Sequence, residues 1–202
     1  MMRFDPEVLC KKLRRWEKYL YNYSLPAWHD IPNIGLYMEQ TVTLLSDYLD
    51  YMPPEIKNGH VITPATVNNY VRMRVMPEPV KKRYFRVHIA YLIIICSLKN
   101  SLSIAEISSL LPADMSEDEL KDFYDRFRTV QTNAARYFIA QVREQSESIL
   151  TKAPDAADNA SELILKAAIV GGFSRLLSEK MMLLSDLTPD SPGIDLTVPE
   201  RR

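Results

Sequence analysis

The chain has 202 residues, with 25 Lys and Arg against 26 Asp and Glu, a formal net charge of −1 and 47% hydrophobic residues. That is enough apolar material for a core without help from disulfides or metals, and the two cysteines, Cys10 and Cys96, stand far apart with no CxxC spacing, which fits a reducing, cytoplasmic setting. Five glycines against thirteen prolines argue against Rossmann and phosphate-loop chemistry, and the longest apolar run is the eight residues Ile89–Cys96, so neither secretion nor membrane insertion is expected.

Helical periodicity dominates, and most segments open with a cap. Asp5-Pro6 is an N-cap with Pro in the first turn, and Phe4, Leu9, Leu13, Trp16, Leu20 and Tyr23 then recur at helical steps. Leu25 to Asn33, with Pro26 and Pro32, reads as an extended connector. A second helix is expected from about Leu36 to Tyr51, burying Met38, Val42, Leu45 and Leu49, with Pro53-Pro54 ending it and a loop following to Ile62. Thr63-Pro64 repeats the cap-plus-proline start, and a short helix runs to about Arg74 before Pro77 and Pro79. A basic and aromatic stretch, Val80 to Arg86, leads into Val87–Leu98, whose continuous apolar character and length favour a buried helix. Ser103-Ile104-Ala105-Glu106 and Ser116-Glu117-Asp118-Glu119 are capping boxes. The second opens a long helix with a seam of Leu120, Phe123, Phe127, Val130, Ala134 and Tyr137, which fades past Phe138. Thr151 to Ser161 reads as a linker, Glu162 to about Ser185 as a last helix, and the proline-bearing tail from Thr188 as disordered. Gly171-Gly172 lies inside the last helix with no strand before it, so the pair is read as close helix packing.

Charge is unevenly spread. Between Tyr70 and Ala90, Arg72, Arg74, Lys81, Lys82, Arg83 and Arg86 face one acid, Glu78, so this stretch is +5 and the remainder −6. A basic cluster of that kind is the footprint of a phosphate-binding surface. On the short helix, Val67, Tyr70 and Val71 share one face while Ala65, Asn68, Asn69 and Arg72 lie opposite. Amide and guanidinium groups beside a small residue suit a major groove, where Asn pairs with adenine and Arg with guanine or phosphate.

The order of residues carries a resemblance. Thr63-Pro64-Ala65-Thr66-Val67-Asn68-Asn69-Tyr70-Val71-Arg72, Val75-Met76-Pro77-Glu78-Pro79, Lys82-Arg83-Tyr84 and Leu102-Ser103-Ile104-Ala105-Glu106-Ile107 resemble the helix-turn-helix and wing of MerR-type regulators. With Leu36-Tyr37-Met38-Glu39-Gln40, the chain from Trp16 to Met182 more closely resembles a bacterial family of unknown function, DUF1836. The MerR resemblance implies that Thr63 caps a recognition helix bearing Tyr70 and Arg72, that Lys82 and Tyr84 belong to the wing, and that Ser103, Ile104, Glu106 and Ile107 open the helix after it. Asn68 stands where those regulators carry a phosphate-binding Arg, Arg74 where they end the helix with Gly, and Phe85 where they cap with Ser or Thr.

The expected fold is therefore mostly α. It comprises an N-terminal helix and connector at 1–35, a MerR-like winged helix-turn-helix at 36–112, a helical packing and dimerisation unit at 113–187, and the tail. The expected function is a cytoplasmic, non-enzymatic regulator binding double-stranded DNA as a homodimer, without metal or cofactor and with no effector specified. Its candidate DNA-contacting residues are Ala65, Thr66, Asn68, Asn69, Arg72, Lys81, Lys82, Arg83, Tyr84 and Arg86. The alternative is a helical interaction module that keeps the shape and no longer binds DNA. His29, His60 and His88 lack ligand spacing, no GxSxG surrounds Ser174, and the acids Glu117 to Asp125 fit a helix dipole better than catalysis.

Overall fold

The computed structural model describes residues 3–51, 62–153, 155–188 and 190–192. The expected Met52–Val61 stretch of loop, with His60, and the tail from residue 193 lie outside them. Among the described residues the chain is all-helical: α1 (Pro6–Asn22), a 3-10 turn (Trp28–Asp30), α2 (Met38–Tyr48), α3 (Pro64–Arg72), α4 (Arg86–Leu98), α5 (Ile104–Leu110), α6 (Glu117–Gln145), α7 (Glu147–Leu150) and α8 (Ala156–Leu183). Two isolated antiparallel bridges, Leu36 with Tyr84 and Val80 with Arg83, are the β-structure present among them. No helix there is long and apolar enough to cross a membrane.

The caps form as the sequence dictates. Asp5 receives the Val8 N–H at 2.9 Å and Thr63 the Thr66 N–H at 3.2 Å, each followed by proline in the first turn. Ser103 with Glu106 and Ser116 with Glu119 make reciprocal capping boxes. The two hydrogen bonds from Ser116, through its Oγ and its N–H, hold the Glu119 carboxyl below the usual carboxylate range.

Chain contacts divide the molecule into two units, Met1–Ile164 and Leu165–Arg202, and the division falls inside α8. In the first unit α4 is the axis: every residue from His88 to Cys96 is buried. Around it pack Val42, Leu45 and Leu49 at α2, Val67 and Tyr70 of α3, Ile107 of α5, and Leu120 and Tyr124 of α6. Hydroxyls pin the layers: Tyr91 donates to the Pro112 carbonyl at 2.6 Å and Tyr124 to the Pro26 carbonyl at 2.9 Å, while Arg128 Nε holds the Leu25 carbonyl at 2.9 Å. A smaller cluster joins Phe4, just before α1, and Leu9 and Leu13 of α1 to Ile149, Ala156, Ala160 and Leu163.

Three expectations are corrected here. Residues read as a linker up to Ser161 are helical from Ala156, because Ala156 and Ala160 are strong helix formers buried against α1 and Asn159 bonds back to Asp155 at 2.8 Å. The α6 seam packs within the chain only in its first half: Leu120 is buried and Phe123 and Phe127 pack on the core, whereas Val130 and Tyr137 are exposed. Beyond them the buried residue is Ile139, and Phe138 meets Trp16 of α1 edge-on at 5.9 Å. At Gly171 and Gly172 an added Cβ would meet nothing within 4 Å, so the expected close packing is not made within the chain.

The second unit, taken by itself, is the remainder of α8 and the residues after it. One helix has no second layer against which to bury an apolar face, and this one carries exposed Leu165, Ile169, Phe173, Leu176 and Leu177.

Candidate nucleic-acid interface

Local rules set the geometry of α3. Val67 and Tyr70 face the core, and burial pushes the Tyr70 phenol up to about 12. On the other side Ala65, Asn68 and Arg72 are exposed and Thr66 and Asn69 half-buried. The helix ends in a Schellman arrangement, with Arg74 N–H donating to the Val71 carbonyl at 3.0 Å and Val75 N–H to the Tyr70 carbonyl at 3.0 Å. Arg74 sits at the left-handed position of that cap with φ 57, so an exposed arginine occupies the place that favours glycine.

Between α3 and α4 the chain makes a two-residue turn. Val80 and Arg83 exchange both backbone hydrogen bonds, at 3.1 and 3.0 Å, and the residues between them, Lys81 and Lys82, have φ 50 and 62. Positive φ at both central positions is the requirement of a type I′ turn, which ordinarily recruits Asn and Gly. Each lysine costs about 1 kcal/mol there relative to a residue that tolerates the conformation. Both are exposed, and among the described residues no carboxylate pairs with Arg72, Arg74, Lys81 or Lys82.

The neighbouring cations have structural work. Arg83 donates to the Gly35 carbonyl at 3.0 Å and the Tyr37 hydroxyl at 2.8 Å, with its guanidinium 4.3 Å above the Tyr37 ring. Gly35 permits this approach: an added Cβ would lie 2.8 Å from Arg83 Cδ and 2.9 Å from its Cβ. Tyr84 is buried and exchanges both backbone bonds with Leu36, at 2.8 and 2.9 Å. Arg86 donates from Nε to the Ile31 carbonyl at 2.9 Å. Phe85 has no oxygen with which to cap α4; His88 Nδ1 instead receives the Phe85 N–H at 3.0 Å, and Nε2 lies 2.9 Å from the Glu78 carbonyl. That fixes Nε2 as the protonated nitrogen and makes His88 a tie between α4 and the turn.

Of the ten residues singled out by sequence, α3 brings together five and the turn two free lysines, while Arg83, Tyr84 and Arg86 are held by other parts of the first unit. Within α3, Asn69 is engaged: its Oδ1 receives Arg72 Nη2 at 2.6 Å and its Nδ2 points to Met73 Sδ at 3.2 Å. Asn68 has no side-chain bond among the described residues, so its amide is the one left to solvent. Two residues that sequence reasoning passed over matter here, Gly35 and Tyr37; the signal available was a lone glycine directly before the Leu36-Tyr37 segment. Among the described residues no cluster of His, Cys, Asp or Glu is arranged to hold a metal.

One family profile, described as a domain of unknown function (DUF1836), matches residues 26–127. The chain belongs to DUF1836. The matched span takes in most of the connector, α2 to α5 and the start of α6, and with them every cation of α3, the turn and the start of α4; α1, α7 and α8 lie outside it. No curated protein and no solved structure matches the chain.

Proposed function

We propose that this DUF1836 protein is a non-enzymatic, cytoplasmic regulator that binds double-stranded DNA as a homodimer, with α2 and α3 acting as a MerR-like helix-turn-helix and the Val80–Arg83 turn as its wing. The observation that carries the reading is the Lys81-Lys82 turn. Two exposed lysines held at positive φ cost stability, and strain of that kind is retained where a function uses it. Phosphate neutralisation is the use that matches two exposed ammonium groups, unpaired among the described residues, beside a capped helix with a polar outer face. The Asn69–Arg72 bond supports a division of labour in which Asn69 orients the guanidinium and Asn68 is the amide that meets a base edge.

The test is a salt-titrated anisotropy series on a genomic fragment recovered with the protein and on a scrambled duplex. Replacing Lys81 or Lys82 by Ala is expected to weaken both duplexes alike and to lower the salt slope by about 0.9 for each phosphate no longer neutralised. Asn68→Ala is expected to cost about 1–3 kcal/mol on the recovered fragment and little on the scrambled one. Wild-type affinity in all three variants overturns the reading and leaves a helical interaction module in its place.

A further inference from the structure

Taken by itself and among the described residues, the second unit presents an apolar arc with no layer against it. From Leu165 to Met181 the large apolar side chains of α8 fall within about 160° of its circumference, and the seven in this stretch are each 56–67% exposed. The far side carries small residues, among them Ala167, Gly171, Ser174 and Ser178. The order of the arc is symmetric about Phe173: Val170 and Leu176 stand three residues either side of it, Ile169 and Leu177 four, Lys166 and Lys180 seven, Leu165 and Met181 eight.

We propose that this arc is an isologous dimer contact in which two copies of α8 pair antiparallel about a two-fold axis at Phe173. A parallel pair matches any sequence to itself and asks for no symmetry; only the antiparallel pair needs a pattern that reads alike in both directions, because each residue then meets its mirror position on the other copy. Phe173 faces Phe173 at the axis. Ile169 shares a layer with the partner's Leu177, and Val170 with the partner's Leu176. The lysines, 14 residues or about 21 Å apart, close the two ends of the apolar stretch with their stems along it and their ammonium groups in water. In this register Lys166 shares an end of the pair with the partner's Lys180; Glu162, one turn before Lys166, stands at the same end, while Glu179, next to Lys180, is paired with Arg175 at 2.8 Å.

The area suffices. At about 80 Å² of apolar surface per side chain, seven such residues supply roughly 560 Å² per copy and about 1,120 Å² for the pair, above the roughly 1,000 Å² a specific interface should clear. A membrane surface suits the arc less well, since the opposite face carries Ala167, Gly171, Ser174 and Ser178 rather than the strongly charged face of an interfacial helix. The inference lies outside the family span and stands whether or not α3 meets DNA.

The experiment uses the full chain. Sedimentation at micromolar concentration is expected to give a dimer, and Phe173→Asp a monomer whose melting profile matches that of the wild-type chain diluted to monomer, the dissociation constant rising at least 100-fold. Native Cys10 and Cys96 are buried, so introduced cysteines report alone. Under mild oxidation Phe173→Cys is expected to cross-link to itself, and Ile169→Cys to cross-link to Leu177→Cys when the two are mixed. Neither member of that mixture should cross-link alone, since in the antiparallel pair two copies of residue 169 lie about 12 Å apart along the axis, nor should Ala168→Cys, about 140° round the helix from Phe173. A monomer at 100 μM overturns the proposal, as does a wild-type chain recruited to vesicles as a monomer. Self-cross-linking of Ile169→Cys overturns the antiparallel register.

Discussion

α4 and the second unit's stretch of α8 are made of the same material and end in opposite surroundings. Ile89, Leu92, Ile93, Ile94 and Ile95 are wholly buried, with α2, α3, α5 and α6 packed in one core around them. Leu165, Ile169, Val170, Phe173, Leu176 and Leu177 are more than half exposed. The first helix is enclosed because elements before and after it in the chain return to cover every side. Among the described residues, none after the second returns to cover it. Hydrophobicity measures how much cover a helix needs; connectivity decides whether its own chain provides it.

The contrast is testable by how each helix answers truncation. Ile93→Ala removes a fully buried side chain and is expected to lower stability by about 2–5 kcal/mol in chemical denaturation. Leu177→Ala, measured at a concentration where the chain is monomeric, is expected to stay within about 0.5 kcal/mol of wild type. Equal losses would break the comparison. The glycines sharpen it further. Gly35→Ala drives a Cβ onto the Arg83 side chain and is expected to lower stability by about 1–3 kcal/mol. Gly172→Ala meets nothing and is expected to raise it by about 1 kcal/mol through helix propensity, read as a higher melting temperature. The smallest effect is chemical: burial pushes the Cys96 thiol of α4 up to about 11, so at pH 8 it is protonated and shielded. A thiol reagent is therefore expected to label Ala168→Cys within minutes and to leave Cys96 unmodified until the chain unfolds.

Much of the fold is written locally. Asp5-Pro6, Thr63-Pro64, Ser103 with Glu106 and Ser116 with Glu119 announce helix starts within four residues, since a cap is a hydrogen bond between near neighbours. The outward set on α3 was legible for the same reason, because the core-facing Val67 and Tyr70 determine which residues lie opposite. Ala156 to Ser161 was not: short polar and small residues look like a linker until α1 arrives to bury Ala156 and Ala160. The basic cluster was legible as a composition and not as a set of roles. Five of the six cations in one stretch read alike as DNA contacts, yet Arg83 reaches back to Gly35 and Tyr37, and Arg86 to Ile31.

The sequence by itself therefore determined where the capped helices begin, which face of α3 is polar, that α4 is buried and that the chain carries a concentrated positive stretch, all properties of neighbours a few residues apart. Only the tertiary structure decided which cations remain available. Lys81 and Lys82 are left exposed because a turn with both central residues at positive φ directs them away from the core, whereas Arg83 is held by segments some fifty residues distant in sequence. Contacts over that separation depend on how α2, α3 and α4 pack together, and local propensity does not encode them.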